Sequence, residues 1–330
     1  MTPEPADLVY YPDDRPGIAR RRCGRGFSYI APDGTRIDTA TERKRIEALA
    51  VPPAYEGVWI SPRADGHLQA TGRDARARKQ YRYHPDWRAW REVTKFEGLA
   101  EFGEALPALR RRIRADLAGD AGDRDTAVAA VLALIDRLAL RVGAPQTAAE
   151  NGTFGATTLR PRHVALKGGE IRLDYTAKGG KRVKKRLKDK QLMQRLGRIH
   201  DLPGATFATW LDDDGTPRSV TSDAVNARIA EFTGESRFTA KTFRTWAGSE
   251  AALKPALSPG PLTIKSMSEA AAERLHNTPT IARSSYVHPE VIALAEADEE
   301  ARAALTADLP DRAGLRQAER ALLRLLLSKA

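Results

Sequence analysis

A chain of 330 residues with 54 Lys and Arg against 43 Asp and Glu carries a net charge of +11, a balance that favours a polyanionic partner, either nucleic acid or an acidic membrane surface. The length suffices for two domains and a sizeable core. No apolar run approaches membrane-spanning length, Met1 to Asp7 shows no signal-peptide pattern, and the single cysteine, Cys23, excludes an internal disulfide and a cysteine-based zinc site.

Residues 1–90 read as a small β-rich domain. Gly26–Ile30 and Arg36–Ile37 flank the turn signal Pro32-Asp33-Gly34. Thr41 to Leu49 reads as a short helix stopped by Pro52-Pro53, and Gly57–Ile60 and His67–Thr71 as further strands. Gly72 to His84 interleaves cations with Tyr81 and Tyr83. That pattern suits phosphate contacts with packing on sugar or base, and equally suits a basic edge strand with two half-buried rings. Pro85 to Trp90 reads as a linker.

From there the period becomes helical. Phe96 to Ile113 predicts one or two helices broken at Pro107. Arg124 to Val142 predicts a long helix with Val128, Val131, Leu132, Ile135 and Leu138 on one face, stopped by Gly143-Ala144-Pro145. Arg141 would then lie in its last turn, either complementing the helix dipole or poised to grip a phosphate. Thr158–Leu159, His163–Leu166 and Gly169–Tyr175 suggest short antiparallel strands. Thr176 to Leu187 is a Gly-Gly hairpin dense in cations, including Lys178, Lys181 and Arg182. Such a run is commonly a solvated face, but on a hairpin it favours backbone contact with nucleic acid.

Ser222 is read as the N-cap of a helix to Phe232. Thr239 or Ala240 opens another, with Lys241 and Arg244 three residues apart on one face. Ser266 to His276 is helical. Asn277 to Pro289 is read as a short connecting segment with little regular structure, carrying Tyr286. Leu315 to Leu327 is a C-terminal helix docked by an apolar face. The six histidines show no metal-binding spacing, and no P-loop or nucleotide-binding glycine pattern occurs.

Arg141, Lys178, Arg244, Asn277 and Tyr286 follow one another, each read at an element end or hairpin. Together they suit attack on a phosphodiester. A phenol with a pKa of about 10 is mostly protonated at neutral pH and needs a concentrated positive field. Two guanidiniums can bind non-bridging oxygens and stabilise the charge of a pentacoordinate transition state. A lysine beside the leaving oxygen can protonate it, and an amide can donate one more hydrogen bond.

The motifs Gln80-Tyr81-Arg82-Tyr83-His84, Leu140-Arg141-Val142-Gly143, Glu150-Asn151-Gly152-Thr153, Tyr175-Thr176-Ala177-Lys178-Gly179-Gly180-Lys181, Lys241-Thr242-Phe243-Arg244-Thr245-Trp246 and Asn277-Thr278-Pro279 through Tyr286 to Pro289 occur in this order. In this set the chain resembles the type IB DNA topoisomerases, specifically the short poxvirus-like form of bacteria, over nearly its whole length. The resemblance implies an α+β architecture: a small N-terminal β-sheet DNA-binding domain (1–90) and a larger, mostly α-helical catalytic domain (91–330) with a small antiparallel sheet, closing as a C-shaped clamp on duplex DNA. It implies that Tyr286 is the nucleophile, forming a 3′-phosphotyrosyl link, that Arg141 and Arg244 clamp the phosphate and that Lys178 protonates the 5′ oxygen. It also implies DNA contacts from Gln80, Tyr81 and Tyr83; Lys181, Arg182 and Lys241 are further candidates. The expectation is a cytoplasmic, nucleoid-associated monomer that relaxes supercoils without ATP, metal or any other cofactor. Neighbouring readings are a tyrosine recombinase, which would place a helical module before the catalytic domain, and a non-catalytic DNA binder on the same scaffold.

Two positions depart from the poxvirus pattern. Asn277, nine residues before Tyr286, stands where those enzymes carry a histidine, so an uncharged donor replaces a chargeable one. After Arg141 the run Val142 to Thr147 lacks the Lys and Tyr of the poxvirus enzymes that contact bases. Base contacts carry sequence choice, so cleavage without their pentameric preference is expected.

Overall fold

The computed structural model describes residues 5 and 7–328. The rest of the stretch read for a signal peptide, Met1–Glu4 and Ala6, lies outside the described residues. The chain divides into two compact units, Met1–Glu97 and Gly98–Ala330.

The first unit is an antiparallel five-stranded sheet in the order β2-β1-β3-β4-β5, from β1 (Ile18–Cys23), β2 (Gly26–Ile30), β3 (Glu56–Ile60), β4 (Leu68–Arg73) and β5 (Lys79–Tyr83). Its core joins Ile18, Tyr29, Val58, Ile60 and Ala70 to Ile46 of α1 (Ala40–Ala48). Strand β1 escaped the sequence reading because its middle is Arg20-Arg21-Arg22. Arg20 in fact secures the neighbouring loop, donating to the carbonyls of Val51, Pro52 and Tyr55 at 2.8–2.9 Å. The Pro85–Trp90 stretch is not a linker but the front of α2 (Pro85–Thr94). Proline is tolerated in a first turn, and the His84 imidazole caps that turn by accepting from the Asp86 amide at 3.2 Å.

The second unit is mostly helical. Its elements are α3 (Leu99–Asp116), α4 (Arg124–Leu138), α5 (Pro145–Asn151), the three-stranded antiparallel sheet β6 (Val164–Lys167), β7 (Glu170–Ala177) and β8 (Lys181–Lys188), α6 (Lys190–His200), the ribbon β9 (Thr209–Leu211) and β10 (Pro217–Ser219), then α7 (Ser222–Thr233), α8 (Ala240–Leu253), α9 (Ile264–Leu275), α10 (Pro279–Tyr286), α11 (Pro289–Ala293), α12 (Glu299–Ala304) and α13 (Gln317–Leu327). Helix α4 is buried almost all round, as is α8 beyond its first turn, which makes them the spine of the unit.

Several boundaries differ from expectation. Pro107 does not break α3. It lies buried within the helix among Phe102, Leu106 and Leu109, whose packing offsets the one amide hydrogen bond a proline forfeits. Helix α4 stops four residues earlier than read, at a left-handed Ala139 (φ 53°), so Arg141 is not in its last turn. Thr158 and Leu159 belong to a turn rather than a strand. Thr221, not Ser222, caps α7, accepting from the Ala224 amide at 3.1 Å. The segment read as a connector, Asn277 to Pro289, contains helix α10, capped by Thr278 with Pro279 at its start.

Candidate active site

Four of the five chemistry-bearing residues converge where α4, α8, α9 and α10 meet. Arg141 sits three residues past the end of α4, in a segment without regular structure held by a neighbouring loop. The Ala156 amide donates to its carbonyl at 2.8 Å, and the Thr157 amide to that of Val142 at 2.8 Å. This pairing explains the glycine of the Leu140–Gly143 motif. Gly143 (φ 97°) and Gly155 pass so closely that a Cβ on Gly155 would lie 2.6 Å from the Gly143 Cα.

Arg244, 4% exposed, projects from the first turns of α8. Its guanidinium bridges two helix ends, donating to the Ala139 carbonyl at the cap of α4 and, at 3.2 Å, to the Leu275 carbonyl ending α9. Both are carbonyls no helical amide can reach, where a cation is favoured. Its Nε is buried with no partner. Burial lowers its pKa from the ordinary value, yet guanidinium pKa values are so high that the charge persists.

Asn277 follows the left-handed cap His276 (φ 51°), and its amide closes α9 onto the Ala272 carbonyl at 3.1 Å. Its Oδ1 accepts from Arg141, and its Nδ2 is buried without a partner. A half-satisfied buried amide is costly unless a ligand completes it. Tyr286 ends α10 half-buried, its ring centroid 5.0 Å from the Arg244 Cζ. Burial pushes its phenol pKa up, but Arg244, with Arg141 and Lys241 behind it, more than offsets this and holds it below the ordinary value. Its backbone lies so near α8 that a Cβ on Gly248 would come within 2.9 Å of the Tyr286 carbonyl oxygen. Ser249 of the same helix donates to that carbonyl at 3.2 Å.

Lys178 is not gathered with these four. It occupies the exposed turn between β7 and β8, and no hydrogen bond or ion pair ties it to them. Of the other candidates, Lys241 is exposed on the first turn of α8, close enough to Tyr286 to act on its phenol. Lys181 opens β8, exposed, and Arg182 beside it is paired with Asp174 at 2.7 and 2.9 Å. Gln80 donates to Asp74 at 3.0 Å, and the Tyr81 and Tyr83 rings stack with centroids 6.0 Å apart on the edge strand β5.

Two further residues border the site. His276 lies among Lys185, Arg244, Arg141 and Lys181, and burial together with those cations pushes its imidazole down to about 4. Lys185 of β8 donates to the Arg274 carbonyl at 2.7 Å, and burial, then Arg274 and Arg244, lower it to about 7. The sequence signal for Lys185 was its place between Val183 and Leu187 at strand alternation, submerged in the charge run.

Comparison with known proteins fixes the family. Residues 84–280 match the model of the eukaryotic DNA topoisomerase I catalytic core, a span holding Arg141, Lys178, Arg244 and Asn277 and ending before Tyr286. The chain belongs to the type IB DNA topoisomerases. Residues 26–74 match the N-terminal domain of bacterial DNA topoisomerase IB. The DNA topoisomerase 1B of Acanthamoeba polyphaga mimivirus is 27% identical over 286 residues, covering 82% of this chain and 85% of that protein. As a member of the type IB topoisomerases the chain is an isomerase acting on DNA. Among the described residues no helix is long and apolar enough to cross a membrane.

Proposed function

We propose that the chain relaxes supercoiled duplex DNA by transient cleavage of one strand, with Tyr286 as the nucleophile. The Tyr286 oxygen, its phenol proton passing to water, attacks the scissile phosphorus, and the bond to the 5′ oxygen breaks. The 3′ phosphate is then esterified to Tyr286, and the 5′ oxygen leaves as a hydroxyl with a proton from Lys178. Arg141, Arg244 and the Asn277 Nδ2 bind the non-bridging oxygens as their charge grows. The free end rotates, and the same steps reversed reseal the strand. One phosphoester replaces another at each step, so no ATP is needed to drive the cycle. The cations of the site supply the field that a metal would otherwise provide.

The observation carrying this reading is the pairing of a tyrosine held below its ordinary pKa by Arg244 with a buried, unpartnered amide donor on Asn277. Lys178 reaches the 5′ oxygen from its hairpin turn once DNA occupies the site. Gln80, Tyr81, Tyr83, Lys181, Arg182 and Lys241 contact the duplex, and the protein works as a monomer in the nucleoid. Incubation with supercoiled plasmid in EDTA without ATP is expected to give relaxed topoisomers. Tyr286→Phe should retain salt-sensitive DNA binding and lose both relaxation and the covalent protein–DNA adduct seen on denaturing gels. An adduct persisting in Tyr286→Phe would exclude Tyr286 as nucleophile.

A further inference from the structure

The face of the β7–β8 hairpin turned toward the helices is apolar except at one inward position. Ile171, Leu173, Tyr175 and Ala177 of β7 are buried. Opposite them in register stand Leu187, Lys185, Val183 and Lys181, of which Lys181 is already at the exposed tip. Lys185 is therefore a cation facing inward between Val183 and Leu187, opposite Leu173. A lysine there is costly unless its head finds a purpose.

Its partner is the Arg274 carbonyl at 2.7 Å, in the last turn of α9. The last four carbonyls of a helix lack intrahelical donors. Here each has a different donor. The Asn277 amide takes Ala272, the His276 amide takes Glu273, Lys185 takes Arg274 and Arg244 takes Leu275. Two of the four are thus held by site cations from other elements, at the end from which the chain runs on to Asn277 and Tyr286. The Arg274 side chain in turn donates to the Arg137 carbonyl near the end of α4 at 3.0 Å, two residues before the Ala139 cap that precedes Arg141.

We propose that Lys185 is a positioning residue, which locks the C-terminal end of α9 to the hairpin carrying Lys178 and so sets the placement of Asn277 and Tyr286 for cleavage. This inference rests on the site reading above. The charged groups facing Lys185 are Arg274 of α9, Arg244 of α8 and the imidazole of His276, all cations or neutral. From β7 Tyr175 is buried on the same face, two residues beyond Leu173, and burial raises its phenol to about 12. Helix α4 also packs on β8, but its Asp136 and Arg137 are engaged by Arg110 and Asp189. With a pKa lowered to about 7, Lys185 loses its charge across the neutral range, and the ion–dipole component of the lock weakens as it does.

The test is single-turnover cleavage and religation of a nicked duplex by Lys185→Met, Lys185→Arg, Tyr286→Phe and the unaltered protein, with DNA affinity measured in parallel. Lys185→Met should cleave about tenfold more slowly, the scale of a lost charge-assisted hydrogen bond, with DNA affinity unchanged, and Lys185→Arg should recover most of the rate. At subsaturating DNA, where the rate reports the free enzyme, the ratio of unaltered to Lys185→Arg rates should fall as pH rises through about 7. Cleavage by Lys185→Met at the unaltered rate would overturn the inference, as would Lys185→Arg being no faster than Lys185→Met. A covalent adduct in Tyr286→Phe would instead overturn the site reading itself, so the two failures are told apart.

Discussion

Asn277 and His276 are adjacent, but α9 ends between their roles. His276 adopts the left-handed cap, with its imidazole among cations, whereas Asn277 turns toward Arg141 with an amide proton pair left unanswered. If that pair meets the developing charge of the transition state, Asn277→Ala should slow cleavage at least about a hundredfold, the effect of removing one preorganised donor. His276→Asn, which tolerates the same backbone, should leave the cleavage rate near normal and its pH profile unaltered, because an imidazole held near 4 is already neutral at the assay pH. Loss of activity in the histidine variant alone would reverse the assignment. Rapid-quench cleavage assays between pH 5 and 8 separate the two. That Arg141, Arg244, Asn277 and Tyr286 would be gathered in one place was legible in the sequence through order and spacing. What was not legible is how they are held, because carbonyls at helix ends and a loop pairing at Gly143 and Gly155 leave no side-chain signature.

At the scale of elements, the sequence carried the long amphipathic stretches well and the short polar ones poorly. The sequence reads helix α10 as a connector because Pro279, Ser284 and Ser285 impose little regular structure, yet a proline in the first turn is tolerated, the Thr278 cap organises the helix and Ala282 buries it. The C-terminal helix was read from its leucines, but its docking has a second component those residues do not reveal. Glu319, fully buried, receives two hydrogen bonds from Arg110 at 2.8 and 2.9 Å, two from Arg316, through its guanidinium at 2.8 Å and its backbone amide at 2.9 Å, and one from the Trp246 indole at 3.2 Å. Arg110 also pairs with Asp136 of α4, so the network ties α13 to α3, α4 and α8. Glu319→Ala would leave Arg110 and Arg316 underpaired, and unfolding in urea should show a loss of about 3–5 kcal/mol, the cost of breaking one side of a buried pair. Burial pushes the Glu319 carboxyl up, but Arg110 and Arg316 overcome this and hold it at about 2. Its folded pKa thus lies below its unfolded one, so its contribution is present above the ordinary glutamate range and disappears as pH falls from there through about 2. The unaltered protein should therefore lose stability over that window more steeply than Glu319→Gln.

For the molecule as a whole the excess of 54 basic over 43 acidic residues gave the partner class, but not which cations are available to it. On the β7–β8 hairpin the sequence counts Lys181, Arg182 and Lys184 equally. The structure distinguishes them, because Asp174 of β7 grips Arg182 with two hydrogen bonds and also lies 4.0 Å from Lys184. An arginine held in this way is partly neutralised before DNA arrives. Each phosphate neutralised releases counterions, which makes affinity fall with salt at a slope near one per contact. Lys181→Ala should therefore lower the slope of log affinity against log salt by about one and weaken binding to all sequences alike. Asp174→Asn should act in the opposite direction, removing a negative charge and freeing Arg182 for phosphate, so that affinity rises and the slope steepens by about one. Titration of a duplex oligonucleotide with each variant at several salt concentrations reads both slopes. Should Asp174→Asn bind no tighter and keep the unaltered slope, the hairpin does not lie against the backbone, and Lys178 at its turn would lose the placement needed to protonate the 5′ oxygen.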